Sequence, residues 1–128
     1  MLYFLRMAAP TILIIEDDES LCEVLGIALK IGGYESAMAH DGIQAMTMAR
    51  QVKPALIILD FMFPAGGGMS AHKRLRMLAD TKHTPIVILT STPEEVVAKA
   101  LDMDGNTYYL SKPYRREMLL SLVKQILS

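Results

Sequence analysis

Four segments of this chain end in residues that can do chemistry. Glu16-Asp17-Asp18 follow the apolar run Thr11-Ile-Leu-Ile-Ile15, and Asp60 follows Leu56-Ile-Ile-Leu59. Thr90-Ser91 close the run that begins at Pro85, and Ser111-Lys112 close Thr107-Tyr-Tyr-Leu110. Each has an ordinary explanation alone: a carboxylate after a strand is often a helix cap or a turn former, and a lysine before proline is often solvated. Together they have a chemical logic. Clustered carboxylates repel and raise one another's pKa unless a cation is present, and a site of a few carboxylates with open positions suits Mg²⁺. Lys112 supplies a positive charge and Thr90 a hydroxyl donor, which is what a phosphoryl group needs once a metal has neutralised part of its charge. A carboxylate can act as nucleophile and form an aspartyl-phosphate. The set points to Mg²⁺-assisted phosphoryl transfer to an aspartate.

For these residues to meet, the strand ends must share one edge. In a parallel sheet they do, and ligands of open α/β sheets bind there. Short apolar runs between turn signals read as strands buried on both faces. Between them, Leu21, Val24, Leu25, Ala28 and Leu29 recur at helical spacing, with Ser20 near the start and Gly32-Gly33 as a C-cap signal. Tyr34 to Ala39 is a less apolar strand. Asp41-Gly-Ile-Gln44 resembles a capping box, opening a helix that Lys53-Pro54 stops. Pro64-Ala-Gly-Gly-Gly68 reads as a loop and Ser70 to Ala79 as the third helix. Thr92-Pro93-Glu94-Glu95 has a hydroxyl for the N-cap, proline at the first helical position and acids in the first turn, with the helix ending near Gly105. Lys112-Pro113 leads into a last helix with Leu119, Leu122, Val123 and Ile126 on one face. Five β-α units imply a parallel sheet with right-handed crossovers and helices on both faces.

The 128 residues are in the range of one domain, and a net charge of −1 provides no field that draws the chain to nucleic acid or anionic membrane. No window approaches the roughly 20 apolar residues of a membrane span. The single cysteine, Cys22, excludes an internal disulfide and reads as core filler, which fits a reducing, cytoplasmic setting. Ten methionines read as adaptable packing, and His72-Lys73-Arg74-Leu75-Arg76 as the solvated face of the third helix. The first ten residues make a poor signal peptide and read as a variable leader or mis-assigned start, with Met7 a candidate beginning.

The ordered set resembles the receiver (CheY-like) domain of two-component response regulators, from about Thr11 to the C-terminus. Ile14-Ile15-Glu16-Asp17-Asp18 is similar to the family's acidic corner. Leu59-Asp60-Phe-Met-Phe-Pro64, with Gly68 beyond, is similar to its phospho-acceptor strand and loop. Leu89-Thr90-Ser91 matches the switch hydroxyl, and Gly105-Asn-Thr-Tyr-Tyr109-Leu-Ser-Lys112-Pro113 the aromatic-to-lysine-proline signature. The resemblance implies one flavodoxin-like (βα)5 domain over 11–128, with strand order 2-1-3-4-5 and 1–10 as leader. It implies that Asp60 takes phosphoryl from a histidine kinase, a phosphotransfer protein or a small phosphodonor. Asp17, Glu16, Asp60 and the Met62 backbone carbonyl would hold Mg²⁺, with Asp18 an ambiguous further acid. Thr90 would bond the phosphoryl group and shift inward, Tyr109 would follow it, and Lys112 would pair with it next to a Pro113 bond that is commonly cis. Such a chain is a signalling domain rather than an enzyme. It hands its state to a downstream effector or a homodimer through helix four, strand five and helix five, and reaches DNA only through a partner domain.

Two departures stand out. Gly66-Gly67-Gly68 replaces a loop that usually carries a polar residue, and Met62 is a large apolar side chain where it could hinder the attacking water. Tyr108 competes with Tyr109 as the switch ring. The principal alternative is a phosphorylation-independent pseudo-receiver acting as a protein-binding module. A flavin protein would need a hydroxyl- and glycine-rich loop where this chain has four acids, and no P-loop motif is present.

Overall fold

The computed structural model describes residues 9–62 and 67–128. Most of the expected leader, and Pro64, Ala65 and Gly66 of the glycine loop, lie outside the described residues. The strands are β1 (Thr11–Ile15), β2 (Glu35–Ala39), β3 (Leu56–Leu59), β4 (Ile86–Thr90) and β5 (Thr107–Ser111). They form one parallel sheet in the order 2-1-3-4-5, as expected. The helices are α1 (Glu19–Ile31), α2 (Gly42–Val52), α3 (Gly67–Met77), α4 (Glu94–Ala100) and α5 (Arg116–Leu127). No described helix is long and apolar enough to cross a membrane.

Strand alternation divides the core in two. Ile12, Ile14, Leu56, Ile58, Val87 and Leu89 pack against α1 and α5, with Cys22 among them. Leu13, Ile15, Ile57, Leu59, Ile86 and Ile88 pack against α2, α3 and α4. Each fully buried side chain of this size contributes about 1.5–3 kcal/mol, so the three central strands are the rigid part of the molecule. Register then carries that rigidity to the edge. Ile15 pairs with Leu59 and with Ala39, so the next residues, Glu16, Asp60 and His40, leave the sheet side by side.

Several sequence expectations need correction. The carboxylate of Asp18 caps α1, with Oδ1 accepting from the Ser20 and Leu21 amides, a role the sequence reading does not give it. Asp41 caps α2 through the Gln44 amide, but the Gln44 side chain returns to the His40 amide (2.7 Å) instead of the Asp41 amide. The third helix begins at Gly67, three residues earlier than expected, and ends at Met77. Gly67 has φ +67°, and a Cβ on Gly68 would lie 2.6 Å from Phe61 Cα and 2.8 Å from the Asp60 carbonyl oxygen. Those glycines let the chain turn tightly against the residue after Asp60. Thr92 does not cap α4, which has Pro93 at its N-cap and no side-chain cap. That helix stops at Ala100 because Asp102 and Asp104 take the Asp104 and Asn106 amides, offering the backbone an alternative to helix.

The methionines divide: Met38, Met46, Met48 and Met103 pack against the core as expected, whereas Met62, Met69, Met77 and Met118 are exposed, and none of the described methionines is fully buried. The basic segment of α3 is not a solvated stripe. His72 is buried with its Nε2 2.9 Å from Thr107 Oγ1. Arg76 donates to the Asp104 carboxylate (2.8 Å) and to the carbonyls of Thr81, Thr84 and Asn106. Only Lys73 and Arg74 point outward, because residues 71, 72, 75 and 76 form the inward face of the helix.

Candidate functional site

Glu16, Asp17 and Asp60 each present an oxygen within 4.8 Å of the others. Glu16 is buried, Asp60 is half-buried and Asp17 is exposed, so the group opens to solvent on one side. Lys112 Nζ lies 3.2 Å from Glu16 Oε1 and 3.8 Å from Asp60 Oδ2. The Met62 amide donates to Asp60 Oδ1 at 3.0 Å, so one carboxylate oxygen is held by backbone while the other faces the lysine. These contacts bring together Glu16, Asp17, Asp60 and Lys112.

Burial pushes the Glu16 carboxyl pKa up; the Asp18 amide opposes this, the Asp60 charge adds to it, and Lys112 offsets part. Two carboxylates share one ammonium, and the third acid adds uncompensated charge. A small hard cation with oxygen ligands would relieve that repulsion, so the donor set fits a divalent ion.

Thr90 stands apart from the acids. It is buried at the end of β4, and its hydroxyl donates to Thr92 Oγ1 (3.2 Å) while accepting from the Thr92 amide. The Tyr109 hydroxyl donates to the Thr92 carbonyl at 2.5 Å. Thr90, Ile88 and Tyr109 share the α4 face of the sheet, whereas Tyr108 packs on the opposite face with α1 and α5. That separates the two rings: only Tyr109 is tied to the segment after Thr90. The Lys112–Pro113 peptide is cis.

Sequence reading missed His40. Its Nδ1 is 3.0 Å from the Glu16 carbonyl oxygen, which Cys22 Sγ also approaches at 3.5 Å. A signal existed, since a strand ending at Ala39 beside one ending at Ile15 places residue 40 next to residue 16. Cys22 itself is the expected core residue, its thiol pushed up to about 11 by burial and the nearby acids.

A response regulator receiver domain family model matches residues 12–124, and the chain belongs to this family. It is 36% identical over 119 residues to the DNA-binding dual master transcriptional regulator RpaA of Synechocystis, covering 92% of this chain and 49% of that protein. It is 37% identical over 114 residues to the DNA-binding response regulator MtrA of Mycobacterium tuberculosis, covering 88% of this chain and 48% of that one. The chain thus spans about half the length of these curated relatives. Among solved structures it is similar to Vibrio cholerae chemotaxis protein CheY4, with TM-score 0.86, 30% identity, and 94% and 100% of the two chains covered. It is also similar to the receiver domain of sensor histidine kinase PA1611 from Pseudomonas aeruginosa. That match has TM-score 0.83, 28% identity and 94% and 98% coverage, and that structure has a magnesium ion in its active-site cleft. The fold and the family are those of a two-component receiver domain.

Proposed function

We propose that Asp60 is the phospho-acceptor of this receiver, taking phosphoryl from the histidine of a sensor kinase or phosphotransfer protein. A carboxylate oxygen of Asp60 forms the new P–O bond as the P–N bond to the donor imidazole breaks, and the imidazole leaves with a proton from solvent. Glu16, Asp17, Asp60 and the Met62 carbonyl would hold Mg²⁺, which when bound neutralises charge on the phosphoryl oxygens. The chain's own residues do the rest. The Met62 amide orients the nucleophile, and Lys112 balances the added negative charge. The Thr90 hydroxyl, free to exchange Thr92 for a phosphoryl oxygen, carries the change to Tyr109 through the Thr92 segment they share.

The observation that carries this reading is one lysine reaching both Glu16 and Asp60 within a cluster of three carboxylates. The donor protein would dock beside it. Val24, Ile27 and Ile31 form an exposed apolar ridge on α1, and a cleft of about 630 Å³ runs from it to Ser91, Lys112 and Pro113. That continuity with Lys112 suits a partner that must bring a phosphohistidine to Asp60. Output would pass through α4, β5 and α5, to an effector or a second copy. The DNA binding in its relatives' names belongs to proteins about twice this length, so we assign any such activity to a fused effector rather than to these residues.

Acetyl phosphate with Mg²⁺, read by intact mass and Phos-tag electrophoresis, tests the site. Wild type should gain one phosphoryl group and Asp60→Asn none. A wild type that binds Mg²⁺ yet takes no phosphate would favour the pseudo-receiver.

A further inference from the structure

We propose that His40 is a positioning residue for the acidic edge. Its Nδ1–H pins the peptide that joins Glu16 to Asp17 and so aims both carboxylates. This deepens the receiver-site reading above and rests on it.

The argument starts where the β1 ladder ends. Ile15 still accepts from the Asp60 amide (3.2 Å), and the Glu16 amide still donates to Ala39 (3.1 Å). The Glu16 carbonyl has left the ladder and takes side chains instead: His40 Nδ1 at 3.0 Å and Cys22 Sγ at 3.5 Å. A carbonyl only accepts, so Nδ1 carries a proton and neutral His40 is the Nδ1–H tautomer. With that proton committed, the 3.9 Å between Cys22 Sγ and His40 Nδ1 is proximity, and both groups aim at the same oxygen.

The pinned atom matters because of what the peptide connects. Residues 16 and 17 share one rigid peptide plane, so holding its carbonyl restrains the two soft torsions on either side, ψ of Glu16 and φ of Asp17. Glu16 and Asp17 are two of the three carboxylates in the cluster. Holding those torsions narrows where the two carboxylates can sit before any cation arrives, which is preorganisation of a site by its supporting contacts. His40 is itself held from elsewhere. Its amide donates to Gln44 Oε1 (2.7 Å), and Gln44 is tied in turn to the Asp41 cap (2.8 Å). The β2–α2 turn thus acts as a bracket for the β1 edge, with His40 as its contact point.

Asparagine can place its Nδ2–H near the histidine Nδ1–H, whereas leucine has no donor. The test follows the site amides by NMR during a Mg²⁺ titration of metal-free wild type, His40→Asn and His40→Leu. The same spectra report folding, and a thermal melt in chelator separates stability from binding. His40→Leu should bind Mg²⁺ about fivefold more weakly, the factor for one net hydrogen bond, while His40→Asn stays within about twofold of wild type. Should the leucine variant not fold, His40→Ala serves as the donor-less form. Equal Mg²⁺ affinity in wild type and the donor-less variant overturns the proposal, as does an asparagine variant as weak as leucine. A wild type that binds no Mg²⁺ overturns the underlying site reading as well, so the two failures are distinguishable.

Discussion

Replacing Arg76 by methionine removes the guanidinium while keeping most of the apolar stem. Five bonds go with it: one to the Asp104 carboxylate, three to the carbonyls of Thr81, Thr84 and Asn106, and a long one (3.4 Å) to the Thr107 hydroxyl. They are not equal losses. Thr81 and Asn106 keep a partner, since their carbonyls also accept from the Thr84 and Ile86 amides. Asp104 is partly open to water, with its side chain 21% exposed, and retains the Asn106 amide and the Thr107 hydroxyl. The net cost is then about 2 kcal/mol for the charge-assisted pair and about 1 kcal/mol for the Thr84 carbonyl. A loss of about 3 kcal/mol is a large part of a domain's 5–15 kcal/mol, and for this length lowers Tm by roughly 10 °C. Arg76→Lys should recover little, because an ammonium cannot span five acceptors in a fork. The assay is a circular-dichroism melt, paired with acetyl-phosphate labelling at 20 °C. Labelling should be unchanged, because Arg76 braces the approach to β4 and β5 at the sheet end away from Asp60. A Tm within 2 °C of wild type would mean the guanidinium is solvent decoration, and the bracing argument fails.

Three other outcomes follow. Burial holds the His72 pKa below 6.5, with Arg76 adding to this and Asp104 and Asp102 opposing. The unfolded chain therefore binds the proton first, and stability present above pH 6.5 should decline as pH falls below it; a urea midpoint equally pH-dependent in His72→Gln would contradict this. Ile27→Glu, at a 63% exposed position, should leave the melt nearly unchanged and lower transfer from a phosphohistidine donor about tenfold while sparing acetyl phosphate; equal losses with both donors would sink the docking ridge. Met62→Asn should shorten the life of the phosphoryl group by admitting the attacking water, and an unchanged dephosphorylation rate removes that role from Met62.

What the sequence made legible was whatever one local pattern decides. Apolar, mostly β-branched runs bounded by turns located the three central strands, because burial on both faces leaves no competing reading of Thr11–Ile15, Leu56–Leu59 or Ile86–Thr90. The carboxyl-edge residues followed from strand ends. What failed depended on which of two hydrogen-bond partners a group chose. Thr92 has the right type and place for an N-cap, yet its hydroxyl is engaged by Thr90 and its carbonyl by Tyr109. The α4 helix looked longer because Asp102 and Asp104 are tolerable in a helix until their carboxylates find amides two residues on. His72 and Arg76 looked solvated because their partners, in loops and at the start of β5, lie 5 to 35 residues away in sequence.

Strand alternation also explains how such a site could signal. Glu16, Asp60 and Lys112 continue the register of Ile14, Ile58 and Leu110, whose side chains face α1 and α5. Thr90 and Tyr109 continue that of Ile88, facing α4. Acid chemistry and switch therefore begin on opposite sides of one sheet, separated by a packed layer that does not deform. The sheet edge is the one place where a group bonded to Asp60 can meet the Thr90 hydroxyl without crossing that layer. In the structure Thr90 is occupied by Thr92, whose carbonyl holds Tyr109. A phosphoryl oxygen that captures the Thr90 hydroxyl would break the first bond and loosen the second. The change would then emerge on the α4 face, away from the α1 ridge proposed for donor docking, so input and output surfaces need not compete.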